Sequence, residues 1–537
     1  MRLAYYALLF TGLSCTWLQS AQAVSPPADE LLYTTQRGDT LIDIGKQLNK
    51  PDDWKQLQKL NHIQNPRLIP TGSILHIPVA LLRSEDAPAK VISVVGHAQA
   101  DQQPLTPNSL LKSGTEIVTG SDGFVLLQFA NGTHLAVQAD SRVTLTALKK
   151  FTIGRTYDST VKLQTGRVET QAAKTAGPSP RYRITTPSAV MSVRGTQFRV
   201  ASDDTQTSRT EVTEGLVRVA DADDQTAVGV AAGFGNIVTN DKPPMTPVAL
   251  LPALDLTRLP TLQERPVIRF DLAASEGASA YRAQIADDAQ FTRILRDHLF
   301  NSPSIKFDGL DDGKYWLRLR AVDRNGLEGL DAQREFVLKA RPEPPFVIQP
   351  ANNGKLSGEH VTFNWTLADD AASYHLQIAQ QADFHTITTD ADKLSGNTYT
   401  PAQALAPGVY FWRIASIRSD GDRGPYGDVR QFTLKPMPAT PPPPVIGADS
   451  IQLSWSGEPG QTYELDIARD RQFKEALQHY TLSKPEISLP KPSWGIWFFR
   501  VRATDADSYV NPYTTTQRFE IPFGEWYWWH NSHPADE

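Results

Sequence analysis

The spacing of apolar positions changes three times along the chain. Between residues 32 and 79, Leu41, Ile44, Gly45 and Leu48 follow helical spacing behind Gly38-Asp39-Thr40. Trp54, Leu57 and Leu60 do the same behind Asp52 and Asp53. Short apolar runs at 32–36 and 74–78 flank the two helices, with a loop carrying two prolines at 61–71. The pattern predicts βααβ, with Asp39 or Thr40 capping the first helix. From 89 to 240 the period falls to two. Runs such as 124–129 and 134–137 alternate between turns at Ser113-Gly114, Ser121-Asp122-Gly123, Asn131-Gly132 and Thr165-Gly166, which predicts an all-β segment.

Beyond 262 the chain repeats itself. Tyr281, Ile285, Ala286 and Phe291 recur as Tyr374, Ile378, Ala379 and Phe384, then as Tyr463, Ile467, Ala468 and Phe473. Downstream, Gly313-x-Tyr315-x-x-Arg318 recurs as Gly408-x-Tyr410-x-x-Arg413 and as Gly495-x-Trp497-x-x-Arg500. The Tyr-to-Tyr spacings of 93 and 89 residues (281 to 374 to 463) each fit one β-sandwich. Phe270, Trp365 and Trp455 precede the tyrosines on an expected core strand. Proline-rich joints at 242–244, 341–345 and 436–444 act as semi-rigid spacers. The expected organisation is multidomain and mainly β. A βααβ domain at 32–80 and an all-β domain at 89–240 precede sandwiches at 262–340, 345–436 and 442–523, the sandwiches forming an arm of three modules. Residues 524–537 remain as an aromatic tail, Trp526-Tyr527-Trp528-Trp529, that either folds back on the third module or offers an aromatic patch.

Composition adds the compartment. At 537 residues the chain exceeds one core, and 40% hydrophobic with 21% charged residues is globular rather than disordered. A net charge of −6 argues against a nucleic-acid partner. Arg2, an apolar stretch at 4–18 and Ala21-Gln22-Ala23 read as a signal peptide at 1–23, cleaved after Ala23. No later run reaches the ~20 apolar residues of a membrane span. Cleavage removes Cys15, the only cysteine, so a periplasmic, disulfide-free protein is expected.

Candidate chemistry is sparse. The mature chain has no thiol nucleophile, no His-Glu-x-x-His and no Gly-x-Ser-x-Gly elbow, and His530-x-x-His533 is a weak metal pattern in the tail. A glycosidase carboxylate pair assembles in space and leaves no mark in sequence. The expectation is a protein with no catalytic residues, no metal and no cofactor.

Two stretches carry specific motifs. Gly38-Asp39-Thr40-Leu41, Ile44-Gly45, Leu57-x-x-Leu60-Asn61-x-Ile63, Pro66 and Gly72-x-x-Leu75-x-Ile77-Pro78 together resemble the LysM domain. That family binds N-acetylglucosamine-containing glycans such as peptidoglycan between its first and last loops. The resemblance implies a glycan site at Gly38, Asp39, Thr40 and Leu41 and at Asn65, Pro66, Arg67, Leu68 and Ile69. Loop backbone groups would read acetamido groups, while Leu41, Leu68 and Ile69 offer apolar faces to sugar rings. On the residues alone, Asp39 and Thr40 could serve only to cap the helix, and Leu68 only to pack.

The second stretch runs through Thr186-Pro187-x-Ala189-x-x-x-Val193-Arg194-Gly195-Thr196-x-Phe198-x-Val200, supported by Phe129-x-Asn131-Gly132-Thr133 and Glu214-Gly215-x-Val217-x-Val219. It resembles the FecR domain, whose members often sense envelope signals through a membrane span and a cytoplasmic anti-sigma segment. Here an export signal stands in place of both, so direct anti-sigma activity is not expected. Phe198 and Val200 should face one side of a strand and Gln197 and Arg199 the other, pairing with 211–219 as a hairpin. Arg194 then lies within reach of Glu214 and reads as a structural rivet, with Gly195 at a bulge or close backbone approach. The sandwiches resemble fibronectin type III-like modules, which implies spacers and protein-contact surface. The functional expectation is a peptidoglycan-bound scaffold or sensor with an unidentified envelope partner; the alternative is a regulator relaying an envelope signal through a membrane-bound anti-sigma or sensor partner.

Overall fold

The structure, a computed structural model, describes residues 30–173, 181–193, 195–358, 360–475 and 477–523. The leader, Arg194 and the aromatic tail lie outside the described residues. The chain forms two compact units. The first comprises residues up to Leu262 with Val267–Asp308 and Gly313–Val337; the second comprises Gln263–Pro266, Gly309–Asp312 and everything from Leu338 onward.

In the first unit, β1 (Glu30–Thr34), α1 (Leu41–Gly45), α2 (Trp54–Leu60) and β2 (Ile74–Pro78) give the βααβ order read from the spacing. The strands pair antiparallel, with Tyr33 opposite Leu75. Thr40 is the N-cap of α1, its hydroxyl accepting from the Asp43 N–H at 3.1 Å. Leu41, Ile44, Leu57, Ile69, Leu75 and Ile77 form the core of this small domain. Phe151 and Ile153, about a hundred residues downstream, belong to the same cluster.

Strands from Ser84–Asp86 to Val248–Ala249 close into a barrel, extending past the 89–240 read from sequence at both ends. The early extension arises because Ser84–Asp86 pairs with the end of Arg142–Phe151. Alternate residues such as Val125, Leu127, Leu135, Val137, Val143 and Leu145 fill the barrel, as the period of two requires. Gln197–Ser202 pairs antiparallel with Ser208–Glu214, with a register shift between Gln197 and Phe198, while the rest of the expected partner, Leu216–Asp221, pairs with Ala189–Val193 instead.

The repeats are sandwiches whose repeated aromatics are core. Phe270, Tyr281, Trp365, Tyr374, Trp455 and Tyr463 are all buried. Trp365 meets Tyr374 edge-on at 5.5 Å, and Trp455 meets Tyr463 in the same way at 5.6 Å. In the second unit, Lys435 pairs with Asp505 and the Ser357 hydroxyl lies 3.1 Å from that of Tyr509, joining the second and third modules.

The expected arm of three modules is divided between the two units, the first module belonging with the barrel. That module packs on the barrel, in one unit with it, through the outward face of Ala280–Ala286 and Gly313–Val322. Arg320, 1% exposed, donates to Glu328 at 2.8 Å, to Glu169 of the barrel at 3.0 Å, and to Asp331. Arg318 holds Glu169 at 3.1 Å, and Arg167 of the barrel holds Asp297 of the module at 2.6 Å. Arg199, also of the barrel, reaches Asp331 at 3.0 Å and the carbonyls of Glu328 and Gly329.

The repeat-equivalent arginines have different partners in the three modules. Arg413 is stacked between Phe384 and Tyr426, each 4.1 Å from its guanidinium. Arg500 lies between Phe473 at 4.1 Å and Tyr513 at 4.0 Å. Arg318 has Phe291 at 4.4 Å on one side, but Glu169 and Asp331 where the second ring would be. Two modules therefore close over their own arginine with aromatic rings, while the first turns its arginine to a carboxylate on the barrel.

Two predictions follow from the buried charges. Arg320→Ala removes one buried cation from three carboxylates at once and should cost about 3–5 kcal/mol in the unfolding of the first unit. Urea melts should show that loss with the second unit's transition unmoved; an unchanged first transition would contradict the network's role. The second concerns Glu211, 2% exposed and 3.6 Å from Arg199, with its carboxylate accepting from the Glu328 N–H. Burial pushes its carboxyl up to about 7, Arg199 opposes this, and the Glu328 carboxylate adds to it. Glu328 itself is held at about 2, since Arg320, Arg167 and Arg199 outweigh its burial. A carboxyl raised in the fold binds its proton more tightly than in the unfolded chain. Its contribution is therefore full below the ordinary carboxylate range and lost as pH rises from there to about 7. Glu328 works in the opposite sense, losing its contribution as pH falls from that range toward about 2. Glu211→Gln should abolish the fall in melting temperature between pH 5 and 8, and parallel curves for the two proteins would refute the assignment.

Candidate functional site

Two loops of the small domain come together at one end of β1 and β2. The Leu41 N–H donates to the Pro66 carbonyl at 2.8 Å, tying the loop before α1 to the loop after α2. The Thr35 hydroxyl donates to the Pro70 carbonyl at 2.7 Å and secures the second loop again. Within that loop the Leu68 N–H donates to the Asn65 carbonyl at 3.2 Å, and the Arg67 N–H to the Asn65 side chain at 3.0 Å.

The first loop is held from within by Asp39. Its Oδ2 accepts from the Tyr33 hydroxyl at 2.8 Å and from the Gln36 N–H at 2.7 Å. Burial, reinforced by Asp39, pushes the Tyr33 phenol up to about 12, so it stays a donor throughout the neutral range. Asp39 therefore fastens the loop, and Thr40 rather than Asp39 caps the helix.

The structure divides the expected glycan residues into two kinds. Gly38, Asn65, Arg67 and Leu68 are exposed, and Asp39, Thr40 and Pro66 are partly so. Leu68 is 73% exposed, a large apolar side chain standing in solvent beside the loop backbone. Leu41 at 0% and Ile69 at 8% are different: their side chains enter the core, so they anchor the loops and offer no apolar face to a ligand. The helical spacing that identified Leu41 already placed it on the buried side of α1. What remains is two tied loops with the exposed Leu68 side chain beside them.

The Thr186 to Gly215 signature lies in the barrel wall, and Gly195, Thr196, Gln197 and Glu214 also line a cavity of about 360 Å³. Val193, Thr196 and Phe198 are buried. The Thr186 hydroxyl accepts from the Ala189 N–H at 2.9 Å and from the Ser208 hydroxyl at 2.7 Å, closing the turn at Pro187. Gly195 and Gly215 have φ of 61° and 85°. A β-carbon on Gly215 would lie 2.7 Å from the Thr196 Cγ2, so the bend between the two strands needs glycine. Glu214 is exposed and stands opposite Gln197.

The charged residues that join barrel and module were not singled out as a site from sequence, although Arg199 and Arg318 carried a signal. Alternation put Arg199 opposite Phe198, and the repeat pattern marked Arg318. A cleft of about 560 Å³ opens beside them. In its wall Arg167, Arg199, Arg209, Arg282 and Arg320 each already hold a carboxylate, which fits an interface better than an anion site.

Comparisons with known proteins agree with the motifs. Residues 33–78 match the family described as LysM domain, and residues 115–218 match that described as FecR protein. A protein of Treponema pallidum (strain Nichols), described as uncharacterized, is 24% identical over 343 residues, covering 59% of this chain and 48% of the relative. The chain thus spans about half the length of that relative. Among solved structures, a candidate anti-sigma factor from Parabacteroides distasonis shares 15% identity with a TM-score of 0.21, over 25% of this chain and 59% of the other. The FN1–FN3 domains of chicken CNTN1 share 14% with a TM-score of 0.22, over 50% and 99%. Fibronectin(III)-like modules of Clostridium thermocellum CbhA share 16% with a TM-score of 0.20, over 33% and 92%. Scores this low leave the assignment of the modules to their strand order. Among the described residues no helix is long and apolar enough to cross a membrane. The chain thus carries segments similar to the LysM and FecR families, both non-catalytic kinds, followed by β-sandwich repeats.

Proposed function

We propose that this chain is a non-enzymatic scaffold or sensor of the periplasm that holds peptidoglycan, or another N-acetylglucosamine-containing glycan, through its LysM domain and meets an envelope protein partner through its β modules. The observation that carries this reading is the pair of loops tied by Leu41 and Pro66, with the exposed Leu68 beside them. The match of residues 33–78 to the LysM family supports it independently.

One such groove binds weakly, so retention on the wall depends on rebinding along a long glycan strand. The FecR match supports a role in envelope signalling, with the barrel as the part that reports. In the alternative reading, the chain relays that signal through a membrane-bound anti-sigma or sensor partner.

The protein from Val24 onward should sediment with purified peptidoglycan. Leu68→Asp should reduce retention roughly ten-fold, the loss of one apolar contact plus a desolvated charge, while leaving the melting temperature unchanged. Absence of the wild-type protein from the pellet would sink the glycan reading.

A further inference from the structure

The small domain is not closed by its own residues. Its core is completed by the tip of the barrel hairpin formed by Arg142–Phe151 and Tyr157–Gln171, which contributes Phe151 at 2% and Ile153 at 1% exposure. Leu41 and Ile69, the two side chains from which the groove loops hang, sit in that same cluster. The hairpin tip is fastened to the domain by polar contacts as well. The Thr152 hydroxyl donates to the Gln47 and Arg83 carbonyls, both at 3.1 Å, and Lys149 to Phe151 pair with Asp86 to Ser84. The short connection between the two parts is itself buried at Leu82 and bridged to Leu48, so it does not act as a hinge.

One residue runs from the hairpin tip to the groove. The Tyr33 ring packs against the shared cluster, and a β-carbon on Gly154, at φ 65°, would lie 3.6 Å from its Cδ2. Its hydroxyl ends on Asp39, the residue that fastens the first groove loop. The hairpin tip, Tyr33, Asp39 and the loop therefore form one continuous packed path.

We infer that the barrel hairpin is part of the glycan site: Phe151 and Ile153 position the groove loops through Leu41 and Ile69, and Tyr33 positions the first loop through Asp39. This rests on the glycan reading above and extends it, because the barrel would then be braced against the loops that meet the wall. By linkage, a glycan that holds the loops must also hold the hairpin tip.

The test uses the chain from Val24 onward, with tetra-N-acetylchitotetraose as the probe, titrated calorimetrically and followed by amide hydrogen exchange. Tyr33→Phe keeps the ring and removes the hydrogen bond to Asp39. It should weaken binding roughly five-fold, the scale of one net hydrogen bond, with the melting temperature within about two degrees of wild type. Saturating probe should slow exchange at residues 151–157 in the wild type, and less so in Tyr33→Phe, a change that a merely structural role for the hairpin would not produce. Wild-type binding with unchanged affinity in Tyr33→Phe and no protection at 151–157 would overturn the brace while leaving the glycan reading standing. Failure of the wild type to bind both the probe and peptidoglycan would overturn both.

Discussion

A guanidinium taken out of water must keep its carboxylates, and that constraint at Arg320 organises the first half of this protein. Desolvating a charge is so unfavourable that the group is tolerated only where its partners are fixed. Arg320 finds Glu328 and Asp331 on its own module and Glu169 on the barrel. The partners cannot separate without stranding a charge, so the first sandwich becomes part of the barrel's unit. Two residues earlier, Arg318 also turns to Glu169, where its repeat equivalents Arg413 and Arg500 are stacked on Tyr426 and Tyr513. Similar sequences at one strand position thus give two outcomes: a module that docks and modules that are complete in themselves.

The apolar counterpart lies at the other end of the first unit. A domain of about fifty residues buries little surface and is marginal alone without a disulfide or metal. Here Phe151 and Ile153 supply the missing core from the barrel. The consequence is functional as well as structural, since the side chains that suspend the groove loops share that core. The small domain is, in this chain, continuous with the barrel.

Much of this was legible in the sequence, and the parts that were not have a common cause. The helical spacing of Leu41, Ile44 and Leu48 and the alternation around Phe198 and Val200 led to the correct elements, because both are local patterns set by backbone period. The repeated tyrosines and tryptophans read correctly as core. Illegible were the contacts between elements far apart in the chain. Arg199, Glu211 and Glu169 alternate with apolar residues as any solvated face does, and nothing local says that a module some 130 residues later covers them. Phe151 likewise read as one more strand residue. Leu41 and Ile69 were expected at the ligand, where the structure uses them to hold the loops from beneath.

That the small domain, barrel and first sandwich behave as one body can be measured directly by scanning calorimetry of the chain from Val24 onward, with and without tetra-N-acetylchitotetraose. Ligand binding stabilises whatever unfolds together with its site. Continuity of the three parts predicts that saturating glycan raises the large transition of the whole first unit while the second unit's transition stays in place. A small separate transition, of the enthalpy expected for some fifty residues and alone responsive to glycan, would contradict it.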